Sequence, residues 1–320
     1  MPLARSRTAW KRMRSLVSQD IDIHAQWPLT FGLVGRQRPR WFLWLYLFFS
    51  IHMFPAVMLY RLQSFFYEAG FPPAATFVSR LNDFLFDVAI GNQVRSNGAL
   101  LISHGHVVLD GWTTLGRGCH IHHGAVLGSP PQDLKYTSEP SYLVVGDHTV
   151  CREYMTANLA TEPGFTTRVG SHCLLMAYSH VAHNCHVGDR VILANAVQMA
   201  GYVNVDDWAI VGGGTVVHQF TRIGRHAMIG GGSRISQDIV PFVKSAGSPP
   251  RNAGMNTIGL SRRGFSKDVC DALDRCYRIF FRSGTTTSKA VADMRAEFPG
   301  IPEVEHFARF CETSVRGVTR

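Results

Sequence analysis

From Val169 onward, every sixth residue is aliphatic. The series runs Val169, Leu175, Val181, Val187, Leu193, Met199, Val205, Val211, Val217, Ile223, Ile229 and Ile235, and Leu109, Leu115, Ile121, Leu127 and Val145 share its phase. The next position is often glycine, as at Gly116, Gly128, Gly146, Gly170, Gly188, Gly212, Gly224 and Gly230. The fifth is small or β-branched, as at Thr113, Cys119, Ala125, Cys185, Thr215, Ala227 and Ser233. A helix repeats near 3.6 and a plain strand at two, so neither produces a period of six. Short strands joined by tight corners do, each hexad turning the chain through a third of a coil. The aliphatic residue then points inward and the small residue fits the corner. Residues eighteen apart stack about 4.8 Å apart, the distance between neighbouring strands. The spacing predicts a parallel β-helix of hexapeptide repeats.

One stretch interrupts the pattern. SPPQDLKYTSEPSYLV, between Leu127 and Val145, keeps the phase, but its prolines and charges do not read as strand. It is expected to be a loop thrown out of one coil, and loops on a rigid scaffold commonly carry function.

Most of the fifteen histidines fall in the hexad region, and the stacking rule selects among them. His183, Gly201 and Gln219 are eighteen apart and third in their hexads, a position expected to face outward. A histidine one coil from a glycine places a general base beside an accessible N–H, the pairing that acyl transfer needs. His180 lies half a hexad before His183, and His218 precedes Gln219. No carboxylate–His pattern supports a metal, so none is expected.

At these residues the chain resembles a known family. PQDLKY (131–136), LLMAYSHVAHNCHVG (174–188), ILAN (192–195), VHQF (217–220), RIGRHAMIGG (222–231), LSRRGFS (260–266) and FRSG (281–284) resemble the acyl-ACP–UDP-N-acetylglucosamine O-acyltransferases, which start lipid A biosynthesis. The resemblance runs from about residue 100 to the end. It implies a left-handed β-helix, a homotrimer with sites between subunits, acyl carrier protein as donor, a UDP-amino sugar as acceptor, and no cofactor. It also implies His183 as general base and Gly201 as the N–H donor to the tetrahedral oxyanion. By the same resemblance, Asp133 and Lys135 hold the sugar and phosphates, and His180 and Gln219 line the substrate pocket. Asn256, Arg262 and Arg263 would lie near the nucleotide and carrier sites, and Gly231 would set acyl length. Four positions depart from the family pattern: Asn184 replaces an acid, Asn158 and Tyr202 replace histidines, and Ile258 replaces an acid.

The chain before residue 101 reads differently. WFLWLYLFFSIHMFPAVMLY (41–60) has no Lys, Arg, Asp or Glu, and Arg36, Arg38, Arg40 and Arg61 flank it. Twenty apolar residues suffice to cross a bilayer, though Pro55 would break such a helix. Three placements stay open: a helix lying on a membrane or on the trimer, a span, or a buried helical hairpin. Phe77, Leu81, Phe84 and Leu85 recur at helical spacing and are expected in a core. LYRL (59–62), SRLN (79–82) and ISHGHVVLDG (102–111) resemble the entry of serine-acetyltransferase-like proteins. That leaves two alternatives, an acetyl-CoA-dependent serine or sugar acetyltransferase using His104, and a structural member without activity.

The net charge of +9 is not a nucleic-acid footprint. Residues 1–61 hold nine Lys and Arg against two acids, residues 62–261 hold twelve against thirteen, and residues 262–320 hold eleven against eight. The excess is mainly one N-terminal block with Arg5, Arg7, Lys11, Arg12 and Arg14, suited to an anionic membrane surface. Seven cysteines without a C-x-x-C suggest buried free thiols in a reducing, cytoplasmic setting. The expected organisation is a basic tail (1–40), a hydrophobic helical segment (41–100), the acyltransferase β-helix (101–255) and a C-terminal helical domain (256–320). In the last, Arg275, Arg278 and Arg282 suit an acidic carrier protein or solvent equally.

Overall fold

The computed structural model describes residues 2–25 and 39–320. They form two compact units, Met1–Tyr178 and Ser179–Arg320. Each contains a three-sided parallel β-helix.

In the second unit Val181 pairs with Met199, Val187 with Val205, and Leu193 with Val211, each partner eighteen residues on. The three pairs lie in three different sheets. The aliphatic residues that open the hexads from Val181 to Ile235 are all buried. Fifth-position residues such as Cys185, Ala209, Thr215 and Ala227 are fully buried beside them.

The corner works differently from the expectation. The fourth hexad residue makes the turn: Asn184, Arg190, Ala196, Tyr202, Trp208, Phe220 and His226 have φ between 57° and 63°. This left-handed conformation costs a residue with a Cβ about 1–2 kcal/mol, which the buried interior and the coil-to-coil hydrogen bonds offset. The second position is small for another reason. A Cβ on Gly188 would lie 2.5 Å from Asp207 Oδ1, and one on Gly212 would lie 2.5 Å from the nitrogen of Gly231. Small residues there let successive coils approach.

In the first unit the strands begin at Val88, ahead of the boundary expected at 101. Val88–Ile90, Arg95–Ser96 and Leu100–Ile102 form a coil that pairs with the next. Ile90 faces Leu109, nineteen residues on. The one extra residue breaks the phase and hides this coil from a six-residue step. Leu115 faces Val145, thirty residues on, and Val145 faces Val169, twenty-four on. Against a coil of eighteen, these are insertions of twelve and six. Both are whole hexads, so the phase survives them. The inserted loops touch: the Gly164 N–H donates to the Pro140 carbonyl at 2.8 Å, and the Ser141 hydroxyl donates to that of Ala160 at 2.6 Å.

Among the described residues, four helices precede these coils: α1 (Pro2–Ala25), α2 (Arg40–Ser50), α3 (Phe54–Ala69) and α4 (Pro72–Phe86). The uncharged run is split between α2 and α3, whose axes differ by 113°, with Pro55 in the first turn of α3. No single helix among the described residues is long and apolar enough to cross a membrane. A one-helix span over 41–60 is therefore corrected to a bent pair. Arg36 and Arg38 lie outside the described residues. In α4 the expected core is also corrected: Phe77, Phe84 and Leu85 are exposed, and Ala75, Val78 and Asn82 face inward. The Asn82 amide donates to the Ala56 carbonyl of α3 at 3.1 Å, which fixes the inward face. A buried ion pair joins helices to coil. Arg61 meets both Asp20 oxygens at 2.7 and 2.9 Å, Asp20 accepts from the Leu100 N–H at 3.0 Å, and Arg61 donates to the Gly98 carbonyl at 2.8 Å.

The second unit ends in an antiparallel hairpin, Val243–Gly247 and Pro250–Met255, then α5 (Thr257–Arg262), α6 (Lys267–Arg282), α7 (Thr287–Glu297) and α8 (Pro302–Glu312). Ser266 caps α6 by accepting from the Val269 N–H at 3.3 Å, and Pro302 opens α8.

Candidate functional site

His183, Gly201 and Gln219 fall on one corner line of the second unit, one coil apart. A Cβ built on Gly201 would lie 2.5 Å from His183 Cε1 and 2.6 Å from Nε2. The imidazole therefore rests on the glycine, and no other residue fits there unless the ring moves. Donors at the second, fourth and sixth positions carry the coil-to-coil ladder, as in Ala200 to Val217, Tyr202 to His183, and Asn204 to Thr221. The Gly201 N–H is in none of these backbone bonds.

His183 Nδ1 lies 3.0 Å from Asn184 Oδ1. An amide oxygen only accepts, so in this pair Nδ1 is the donor. Asn184 sits at the left-handed corner with φ 59°, a conformation asparagine tolerates well. The corner residues of the next coils continue the surface. Tyr202 meets the His183 ring edge-to-face at 5.4 Å and stacks on Phe220 at 4.9 Å. Tyr202 is singled out in the sequence as a departure, whereas Phe220 is missed, although two eighteen-residue steps from Asn184 reach it. His180 opens the strand His180–Val181 that precedes His183. Burial, then the nearby His183, lowers its pKa from the ordinary value. Gln219 is exposed, and its carbonyl lies 3.0 Å from His218 Nδ1.

The remaining expected residues sit elsewhere. Gly231 lies on a different corner line, stacked on Gly213 and Asn195. Asn256 is buried: its Oδ1 accepts from the Gly259 N–H at 3.3 Å, capping α5, and its Nδ2 donates to the His226 carbonyl at 3.0 Å. Arg263 follows α5, donates to His226 Nδ1 at 2.9 Å, and lies 5.0 Å over the Trp208 ring. Burial, then the Arg263 cation, pushes the His226 pKa down to about 4. Arg262 is exposed at the last turn of α5. Asp133 and Lys135 lie in the twelve-residue insertion of the first unit, where Asp133 accepts from the Lys135 N–H at 2.9 Å and the Lys135 side chain is exposed. Asn158, also in the first unit, is buried and donates to the Pro130 carbonyl at 3.1 Å, bracing the base of that loop.

Among the described residues, no group of three or more His, Cys, Asp or Glu is placed to hold a metal ion. Cys119, Cys151, Cys173 and Cys185 are buried free thiols, and burial raises the pKa of Cys119 and Cys185 to about 12.

The family model for UDP N-acetylglucosamine O-acyltransferase, domain 2, matches residues 238–319, and that for the bacterial transferase hexapeptide (six repeats) matches residues 166–201. An acyl-[acyl-carrier-protein]–UDP-N-acetylglucosamine O-acyltransferase of Thermodesulfovibrio yellowstonii is 42% identical over 233 residues, covering 72% of this chain and 90% of that protein. The chain belongs to this O-acyltransferase family. A member from Syntrophobacter fumaroxidans is 45% identical over 217 residues, 67% of this chain and 84% of that protein. The solved structure of LpxA from Acinetobacter baumannii matches with a TM-score of 0.69 at 36% identity, covering 73% of this chain and 91% of that one. Membership carries the left-handed β-helix with it. At the positions expected to depart from the family pattern, Asn184 offers an acceptor to His183 Nδ1 and Tyr202 offers an aromatic ring. Ile258 is exposed on α5 and brings no charge there.

Proposed function

We propose that this chain transfers an (R)-3-hydroxyacyl group from acyl carrier protein to the 3-hydroxyl of UDP-N-acetylglucosamine, the first step of lipid A biosynthesis. The observation that carries this reading is the seating of His183 on Gly201. His183 Nε2 takes the proton of the sugar hydroxyl as its oxygen attacks the thioester carbonyl. A carbon–oxygen bond forms, and the Gly201 N–H donates to the tetrahedral oxyanion. Collapse breaks the carbon–sulfur bond, and the imidazolium returns its proton to the leaving thiolate. His180 and Gln219 border the reacting hydroxyl, Asp133 and Lys135 hold sugar and phosphate, and Arg262 and Arg263 meet the nucleotide or the carrier. Asn256 serves by capping the helix that ends at Arg262, immediately before Arg263. Gly231 leaves room for a long acyl chain.

The working form in this reading is a homotrimer without a cofactor, with the prism in the cytoplasm where its donor is made. Residues 1–60 bring it to a membrane surface.

The test is direct. Purified protein is incubated with UDP-N-acetylglucosamine and 3-hydroxymyristoyl carrier protein, and separately with serine and acetyl-CoA, with products read by mass spectrometry. Acylated UDP-sugar is expected from the first pair. Acetylserine alone would replace this reading with the acetyltransferase one, and no product from either would leave a structural role.

A further inference from the structure

Residues 1–70 contain three acids, Asp20, Asp22 and Glu68. Each already has a cation within the segment. Asp20 meets Arg61 at 2.7 Å, Asp22 meets Arg40 at 3.2 Å, and Glu68 meets Arg12 at 2.9 Å. Arg5 donates to the Glu68 carbonyl at 2.6 Å. Arg7, Lys11 and Arg14 are exposed along one side of α1, at spacings of four and three, and they share that side with the half-exposed Trp10. The segment therefore keeps an excess of cations with no acid of its own left to neutralise them.

The helix α2 carries an exposed apolar side. Trp41, Leu45 and Phe49 recur every fourth residue of α2 and are 66%, 41% and 82% exposed. The other side of α2 packs inward through Leu47, Leu43 and Trp44 against Ile21 of α1 and Phe54 of α3. Arg40, immediately before Trp41, donates to the Ser18 carbonyl of α1 at 2.9 Å, one turn beyond Arg14. Aromatic and aliphatic side chains on one helix face with cations nearby are the composition of helices that lie in a bilayer interface. The 113° bend after α2 keeps this helix short, which fits lying in an interface and not crossing it.

We propose that α2, with the cationic side of α1, docks this chain on the surface of an anionic phospholipid bilayer. Trp41, Leu45 and Phe49 enter the headgroup boundary, and Arg7, Lys11 and Arg14 meet lipid phosphates. The proposal does not depend on the reaction the prism performs.

The experiment is co-sedimentation of the full chain with phosphatidylcholine vesicles, with and without phosphatidylglycerol. The chain is expected to pellet with the anionic vesicles and to be released by salt. Each cation near such a surface is worth about fivefold in binding, so Arg7→Glu/Lys11→Glu/Arg14→Glu is expected to weaken it by about a hundredfold or more. Trp41→Ser/Phe49→Ser is expected to abolish pelleting at moderate salt. All five positions are exposed, so both variants should melt with the wild type. Failure of the wild type to pellet at low salt would overturn the proposal, and so would variants that pellet equally well. A wild type that ignores vesicles, with a Trp41→Ser/Phe49→Ser variant that lowers the mass in sedimentation velocity, would assign the face to a second copy instead.

Discussion

Oδ1 of Asn184 lies 3.0 Å from Nδ1 of His183 and decides which nitrogen of that ring donates at the corner. The hydrogen sits on Nδ1, and Nε2 faces Gly201. An aspartate would do the same and add charge. The neutral amide retains the orientation and forgoes the electrostatic support of an imidazolium.

The Asn184 pair therefore gives a graded expectation. Asn184→Ala frees the tautomer and should lower acyl-transfer turnover on the order of 10-fold or more. Asn184→Asp keeps the acceptor and should retain or raise it. Steady-state assay of the three proteins decides the point. Equal turnover in the alanine variant would mean the ring is held by other contacts.

Removal of the base itself has a larger effect. His183→Ala should cut turnover by about 10²–10⁴-fold with the melting temperature unchanged. The readout is acylated UDP-sugar at saturating donor. Undiminished turnover would take His183 out of the mechanism.

Gly201 is constrained by the ring resting on it. In Gly201→Ala the new Cβ would lie 2.5 Å from His183 Cε1, so the imidazole must rotate away. Turnover should fall on the order of 100-fold, since a small misplacement of reacting groups is costly. The global fold, followed by circular dichroism, should persist.

Two buried histidines make stability depend on pH. Burial lowers His120 to about 3, and burial with Arg263 lowers His226 to about 4, from the ordinary 6.5. Below about pH 6.5 the unfolded rings take up protons that the folded rings refuse, so stability falls as pH drops toward 4. Above that window the two states bind protons alike and these groups contribute no slope. His226→Phe, at a corner position where Phe220 and Phe242 already stand, should flatten the fall in melting temperature between pH 7 and 4. An unchanged slope would remove His226 as a cause.

The Asp20–Arg61 pair ties α1 and α3 to the first coil. Asp20→Ala leaves a buried guanidinium without its carboxylate and should destabilise by about 3–5 kcal/mol. Chemical denaturation of the variant would show it. A loss below 1 kcal/mol would mean that water reaches Arg61.

Much of the β-helix was legible because its period is local. Val181, Val187 and Leu193 announce three faces without any knowledge of what they touch. The coil at Val88–Ile102 was not legible, since one extra residue before Leu109 shifts the phase. The stack of His183 on Gly201 was legible from spacing alone. The engagement of Asn256 in a helix cap and of Arg263 on His226 was not, because both depend on how α5 meets the corner line of Trp208 and His226. In α4, helical spacing correctly indicated a face but not which one. Phe77 and Phe84 face out because Asn82 is held inward by the Ala56 carbonyl.

The sequence by itself determined the hexad prism, the alignment of His183 with Gly201, and the concentration of positive charge before residue 62. Each follows from a regular spacing or a sum, and neither needs a partner to be known. Only the tertiary structure decided which nitrogen of His183 Asn184 holds, that the fourth hexad residue makes the corner, and that the apolar run bends into two helices. Those outcomes rest on contacts between residues whose approach is set by the packed coils and helices. Position along the chain records the repeat, and only the packing records what each outward side chain meets.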